Sequence, residues 1–220
     1  MMYFPLYLSL FIVAYLLGSI PSGYLVTKLS TKKNIMEVGW RKTSSSNVFK
    51  NVGAWQAALT MILDVAKGFA SVYIAYKLGA PVYVEALCGA IAVLGNNWSI
   101  FLNFSGGRGL ATLIGGLVFF SPVILLIILI PTILFAIAWT ASIGSIISLL
   151  LGIWLGFNNP ATVGAGMILA FSLVPVFSKK FSPIKEIFSA KNKAELIRNR
   201  FLFDQDGIPP VRLKFLRKKG

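Results

Sequence analysis

Apolar runs of membrane-crossing length alternate with short polar breaks along most of this chain. Residues 3–29, 54–78, 83–94, 108–120, 123–138, 142–157 and 161–177 read as seven greasy segments. Between them lie a polar loop at 30–53, Gly79-Ala80-Pro81, a glycine-rich stretch at 96–109, Ser121-Pro122, residues 139–141 and Asn158-Asn159-Pro160, all rich in turn-forming residues. A crossing helix needs about 20 mostly apolar residues, so the fourth segment is short unless it borrows from the stretch before it. From Leu110 to Ser178 there is no Asp, Glu, Lys or Arg, and that run alone must cross a bilayer several times. The pattern predicts an all-α polytopic membrane protein, with about seven transmembrane helices around a cytoplasm-facing polar site. Residues 1–178 form the spanning domain. Residues 179–220 form a basic cytoplasmic tail, in which Phe201-Leu202-Phe203-Asp204-Gln205-Asp206 mixes apolar and polar positions as an amphipathic helix does.

The first run lacks a basic leader and a small-residue cleavage site, so it reads as a retained helix rather than a signal peptide. Pro21, within Gly18-Ser19-Ile20-Pro21-Ser22-Gly23-Tyr24, interrupts its hydrogen-bond ladder. Either the helix simply kinks there, or the opened backbone lines a polar cavity. Asp64 and Lys67 share one helix face inside the second run. Such intramembrane charges are costly, and mark either a functional site or a mutually neutralising structural pair. Gly152-x-x-x-Gly156 and Gly164-Ala165-Gly166 are small-residue patches suited to close helix packing.

Composition sharpens this picture. The chain has 220 residues, of which 56% are hydrophobic and 13% charged, and a mean hydropathy of +0.78, outside the range of soluble domains. Net charge is +14, but the charges are segregated: six Lys/Arg lie between Lys28 and Lys50, and twelve between Lys179 and Lys219. In a soluble chain this basicity would point to nucleic acid. Here it reads as the positive-inside signal with attraction to anionic lipid, and no nucleic-acid partner is expected. With the 30–53 loop cytoplasmic, the glycine stretch and the tail fall on the same side of a cell (inner) membrane, and the N-terminus lies outside. Nineteen of the 21 basic residues then face the cytoplasm or its interface, Lys67 and Lys77 being the exceptions. Histidine is absent and cysteine occurs once, as Cys88 in an apolar run. That excludes an internal disulfide, a His/Cys metal cluster and a Cys–His dyad; neither metal nor cofactor is expected.

Candidate chemistry centres on Ser105-Gly106-Gly107-Arg108-Gly109. Bare glycine backbone lets N–H groups approach an anion. A helix starting at Leu110 would add its positive end, and Arg108 a planar donor fork matched to phosphate oxygens. The other reading is a glycine turn between helices, with Arg108 snorkelling to lipid headgroups. In the 30–53 loop, Arg41, Lys42, Thr43, Ser44, Ser45, Ser46, Asn47 and Lys50 crowd cations with short donors. That mixture suits phosphate, though an ordinary cytoplasmic loop carries Lys and Arg merely to set orientation.

Three separated segments resemble one family in order, the bacterial acyl-phosphate:glycerol-3-phosphate acyltransferases, small seven-span enzymes of phospholipid synthesis. Leu16–Leu25 (LLGSIPSGYL) is close to that family's G-S-I-P-x-G-Y-L. Glu37–Gly53 aligns without a gap to E-V-G-S-G-N-x-G-A-T-N-V-x-R-x-x-G, and Gly95–Thr112 to G-H-N-F-P-V-F-L-K-F-x-G-G-K-G-V-A-T. Asp64-Val65-Ala66-Lys67-Gly68 and Ser142-Ile143-Gly144-Ser145-Ile146 are lesser matches, to D-x-x-K-G and S-x-x-S-I. The resemblance implies transfer of a fatty acyl group from acyl phosphate to the 1-hydroxyl of glycerol 3-phosphate, giving lysophosphatidic acid and phosphate. The partners are then those two substrates and membrane lipids. It implies that Arg108, with Gly106, Gly107 and Gly109, holds a phosphate; that Lys50 binds substrate phosphate; and that Ser46 and Asn47 hydrogen-bond it. Ser19, Ser142 and Ser145 would line the polar floor, with Asn97 in the same binding set, and a substrate phosphate oxygen would serve as base. The chain departs from the family where S-G-N becomes Trp40-Arg41-Lys42, where the glycine of G-A-T-N becomes Ser44 and where the histidine before Asn97 becomes Asn96. It has no clear match to the C-terminal H-R-E-N. Arg41 and Lys42 keep the site cationic. Two other readings remain open: a non-catalytic relative binding anionic lipid or partners at the inner leaflet, and a small-anion transporter.

Overall fold

The computed structural model describes residues 4–138, 140–182, 184–189 and 192–203. The apolar runs become helices α1 (Phe4–Ser19) with α2 (Ser22–Thr31), α4 (Ala54–Lys77), α5 (Val82–Asn97), α6 (Leu110–Phe120), α7 (Pro122–Ala138), α8 (Ala141–Phe157) and α9 (Val163–Lys180); the polar 30–53 loop adds a short helix, α3 (Ser45–Asn51), and α10 (Ile184–Ser189) and α11 (Lys193–Phe203) follow α9. No strand occurs among the described residues; a single bridge pairs Ser99 with Ser105. Of the predicted amphipathic tail, residues 204–220 lie outside the described residues.

Three helical stretches, Phe4–Thr31 (α1 and α2 together), Ala54–Lys77 and Pro160–Lys180, are long and apolar enough to cross a membrane. Val82–Asn97, Leu110–Phe120, Pro122–Ala138 and Ser142–Phe157 are shorter apolar helices. Outward-facing side chains are themselves apolar: Ile137 is 82% exposed and Val174 72%, and Leu126, Leu134 and Trp154 are exposed as well. An apolar exterior around an apolar interior is the mark of a protein solvated by lipid.

Inside, Val72, Val93, Leu113, Leu117, Ile128, Ile168 and Leu169 form a buried core shared by α4–α9. A second cluster of Leu10, Ala14, Val84 and Cys88 joins α1 to α5. Lipid offers no hydrophobic drive for helix association, so close backbone contact must hold the bundle. Glycine makes that contact between α4 and α6: a Cβ at Gly68 would lie 1.9 Å from the Thr112 carbonyl oxygen. The Gly156 and Gly166 patches likewise meet directly, with a Cβ on Gly156 falling 2.3 Å from the Gly166 nitrogen. Gly68→Ala is therefore expected to push α4 from α6 and destabilise the protein by about 1–3 kcal/mol. A fall in thermal unfolding temperature in detergent, against wild type, checks this.

Candidate functional site

The 38–44 loop is folded by one side chain from the start of α3. Asn47 is fully buried. Its Oδ1 accepts from the Trp40 N–H (3.0 Å) and from Asn51 Nδ2 (3.0 Å). Its Nδ2 donates to the Lys42 carbonyl (2.8 Å) and the Val38 carbonyl (3.1 Å). Asn47 thus closes a loop that passes through left-handed backbone at Gly39 and Arg41. The family resemblance assigned this amide to a ligand; here its hydrogen bonds order the loop. Ser46 Oγ lies 3.2 Å from Ser44 Oγ at the exposed end of α3.

Closing the loop sets Trp40 as a platform. The Arg108 guanidinium lies 5.1 Å from the Trp40 ring centroid, and the Lys50 ammonium 4.6 Å from the same ring. Two cations some 60 residues apart in sequence are gathered on one indole, where the ring quadrupole attracts both. Like charges brought together this way create a positive spot fit for an anion.

The glycine turn sits against the end of α5. Gly107 N–H donates to the Asn96 carbonyl (2.9 Å), and a Cβ at Gly106 would strike that carbonyl oxygen at 2.3 Å. Gly109 adopts φ 73° and caps α6, whose N-terminal amides and positive dipole end then face the turn.

Beneath the turn, the helix break at Ile20-Pro21 is the opened backbone rather than a simple kink. The Ile20 carbonyl accepts from Lys67 Nζ (2.9 Å), and the Ser19 carbonyl from Ser99 Oγ (2.5 Å). Lys67 also pairs with Asp64 (2.8 Å) and donates to Asn96 Oδ1 (2.7 Å). The intramembrane pair is therefore both neutralised and wired to the site. Ser19 Oγ, Asn97 Oδ1 and Thr112 Oγ1 are buried without a hydrogen-bond partner, and the Asn97 amide donates into α9, to the Pro175 carbonyl (2.8 Å).

Helix α9 continues through Lys180, and its last turn joins two halves of the polar region. Lys179, buried, donates to the Asn97 carbonyl and lies 5.2 Å from the Trp98 ring. Lys42 is close enough for the two charges to repel. Lys180, also buried, donates to Ser142 Oγ. Ser142 in turn donates to the Phe201 carbonyl (2.6 Å), and Ser145 to the Ser142 carbonyl (2.7 Å). At the rim, Glu186 bridges Arg41 (3.2 Å) and Arg200 (2.5 Å).

Arg108, Lys50, Gly106, Gly107 and Gly109 thus stand together around Trp40 and Asn96, whereas Ser142 and Ser145 belong to a neighbouring cluster reached through Lys179-Lys180. Sequence reading missed Trp40, Asn96, Lys179 and Lys180 as site residues. Two lysines directly following an apolar span were the available signal for the last pair, but their burial is decided by where α5 and α8 pack. No group of three or more His, Cys, Asp or Glu able to hold a metal occurs among the described residues. The assembled chemistry is cations, helix-end amides and hydroxyls, which bind and polarise phosphates.

Comparison with known proteins agrees with this chemistry. The family model for glycerol-3-phosphate acyltransferase matches residues 8–189. "Glycerol-3-phosphate acyltransferase 2" of Dehalococcoides mccartyi (strain CBDB1) is 34% identical over 194 residues, covering 83% of this chain and 86% of that protein. "Glycerol-3-phosphate acyltransferase" of Anaplasma phagocytophilum (strain HZ) is 31% identical over 198 residues, covering 86% of this chain and 99% of that one. The fold is similar to the crystal structure of PlsY (YgiH), an integral membrane glycerol 3-phosphate acyltransferase, in its glycerol 3-phosphate form: TM-score 0.70, 27% identity, 83% of this chain and 92% of that chain covered. With its apolar helices wrapped around a cationic glycine turn, this multi-pass membrane chain belongs to the glycerol-3-phosphate acyltransferase family.

Proposed function

We propose that this protein transfers a fatty acyl group from acyl phosphate to the 1-hydroxyl of glycerol 3-phosphate at the inner face of the membrane. The observation that carries this reading is the placing of Arg108 and Lys50 on one Trp40 ring beside the glycine turn. Acyl phosphate is already an activated mixed anhydride. The glycerol hydroxyl attacks its carbonyl carbon, the carbon–oxygen bond to phosphate breaks, and the hydroxyl proton passes to a phosphate oxygen. The protein then has to bring two phosphorylated molecules together and hold their charge. Arg108 with the Gly106 and Gly109 backbone and the α6 N-terminus holds one phosphate, the Gly107 N–H being taken by the Asn96 carbonyl; Lys50, backed by Arg41 and Lys42, draws in the other. Buried Lys179 adds positive charge below them.

The same reading has seven spans: α1 with α2, then α4 to α9. The N-terminus is outside, and the 31–53 loop, the glycine turn and the end of α9 are cytoplasmic. The contacts Arg108–Trp40 and Lys179–Asn97 support it by tying those three segments to one face.

Purified protein supplied with palmitoyl phosphate and glycerol 3-phosphate is expected to release phosphate and lysophosphatidic acid in equal amounts. Cys88→Ala, in the core between α1 and α5, is expected to retain this activity. Absence of lysophosphatidic acid from well-folded wild type would remove the acyltransferase reading and leave an anion-binding or anion-transport role.

A further inference from the structure

We infer that α11 clasps the Trp40 loop to the bundle, with Glu186 as the positioning residue that joins the two; the inference rests on the acyltransferase reading only for the site it acts on. Helix α11 spans Lys193–Phe203, beyond the residues 8–189 that the family model matches. It is nevertheless firmly docked. Its last carbonyls lack partners within the helix, and hydroxyls at the start of α8 supply them. Ser142 Oγ donates to the Phe201 carbonyl and Thr140 Oγ1 to the Leu202 carbonyl, both at 2.6 Å. The negative end of α11 thereby meets the positive end of α8. Arg200 is buried, only 4% exposed, and donates to the Phe181 carbonyl (3.3 Å) at the end of α9.

A buried guanidinium needs a counter-charge, and Glu186 on α10 supplies it through Oε2 at 2.5 Å. Its other oxygen, Oε1, reaches Arg41 at 3.2 Å. Arg41 is the residue next to Trp40 and sits in left-handed backbone at φ 54°. A non-glycine residue keeps that conformation only where its surroundings fix it. Asn47 folds the loop from within. Glu186 ties it from outside to a helix that is itself pinned to α8 and α9. A carboxylate beside a phosphate site is otherwise unfavourable, because it repels the anion. Its place here follows from the two arginines it joins.

Loss of the clasp leaves the Asn47-folded loop intact but free to swing away from Arg108. Substrate then binds only the fraction of molecules with the loop in place, so apparent affinity falls by that fraction while turnover at saturation is kept. Glu186→Gln, which keeps the shape and drops the charge, is expected to raise KM for one or both phosphorylated substrates by about tenfold, with kcat within about twofold. Arg200→Met, at the far end of the clasp, is expected to do the same. A bystander carboxylate predicts the opposite sign, since removing it lessens repulsion and lowers KM. Added to Arg41→Gln, which already opens the clasp, Glu186→Gln is expected to change KM little further.

Limited trypsin digestion in detergent supplies a readout independent of activity. Cleavage after Arg41 and Lys42 is expected to be several-fold faster in Glu186→Gln and in Arg200→Met than in wild type, because a loop released from its anchor opens more often. If wild type makes no lysophosphatidic acid but both variants show this faster cleavage, the acyltransferase reading falls and the clasp stands. Loop cleavage at the wild-type rate in Glu186→Gln, or in folded Arg200→Met, overturns the clasp whatever the activity. A KM that is unchanged or lowered in Glu186→Gln does the same.

Discussion

Arg108→Ala is expected to lower acyl transfer by on the order of a hundredfold to a thousandfold, the effect of deleting one preorganised group that stabilises developing charge. The guanidinium is fixed between the glycine turn that carries it and the Trp40 ring 5.1 Å away. Its position does not have to be found when substrate arrives, and that preorganisation is where its contribution lies. Lys50 rests on the same Trp40 ring, 4.6 Å from its centroid, but, as a flexible point charge, cannot reproduce a fork of paired donors. Arg108→Lys is expected to keep a substantial part of the rate, since the related family carries lysine at this place and charge survives. Steady-state phosphate release by purified variants checks both. Arg108→Ala with activity within a few-fold of wild type would exclude Arg108 from the reaction.

Asn47→Ala is expected to give the second large loss, through structure rather than contact with substrate. Truncation strands the Trp40 N–H and the Lys42 carbonyl, while the Val38 carbonyl keeps only the Arg41 N–H. A fully buried group left without a partner costs about 1–3 kcal/mol, and these part-buried groups cost toward the lower end of that range. With the loop open, Trp40 leaves its place, and Arg108 and Lys50 lose their shared ring together. Asn47→Asp keeps the acceptor for Trp40 but loses both donors, so an intermediate effect is expected. Activity assays paired with intrinsic tryptophan fluorescence separate this from a direct ligand role. A direct role leaves the tryptophan spectrum unmoved, whereas loop opening shifts it.

Much of the helical frame was legible because lipid imposes a simple rule on backbone and side chains alike. A chain crossing hydrocarbon must satisfy its amides internally, so each long apolar run had to be a helix. The predicted runs 123–138 and 142–157 differ from α7 and α8 by a single residue at the start. The first run was legible as apolar but not in its division into α1 and α2. Pro21 announced an interruption; the partners that satisfy it, Lys67 and Ser99, come from 47 and 80 residues downstream. Asn96 and Asn97 are adjacent and chemically identical, and nothing local distinguishes the one facing the turn from the one facing α9. Their roles follow from which side of α5 meets α4 and which meets α9.

What the sequence by itself determined is therefore the material and its environment: apolar helices in a bilayer, basic residues gathered into two segments, and a bare-backbone turn carrying Arg108. These follow from local chemistry, because hydropathy, proline and glycine act over a few residues. Only the tertiary structure decided which cations meet, that Trp40 carries two of them, that Lys179 and Lys180 are buried site groups, and that Lys67 reaches the Asn96 side chain. Those outcomes depend on helix faces brought together by glycine contacts such as Gly68 against Thr112, between residues far apart in the chain, and no local pattern records them.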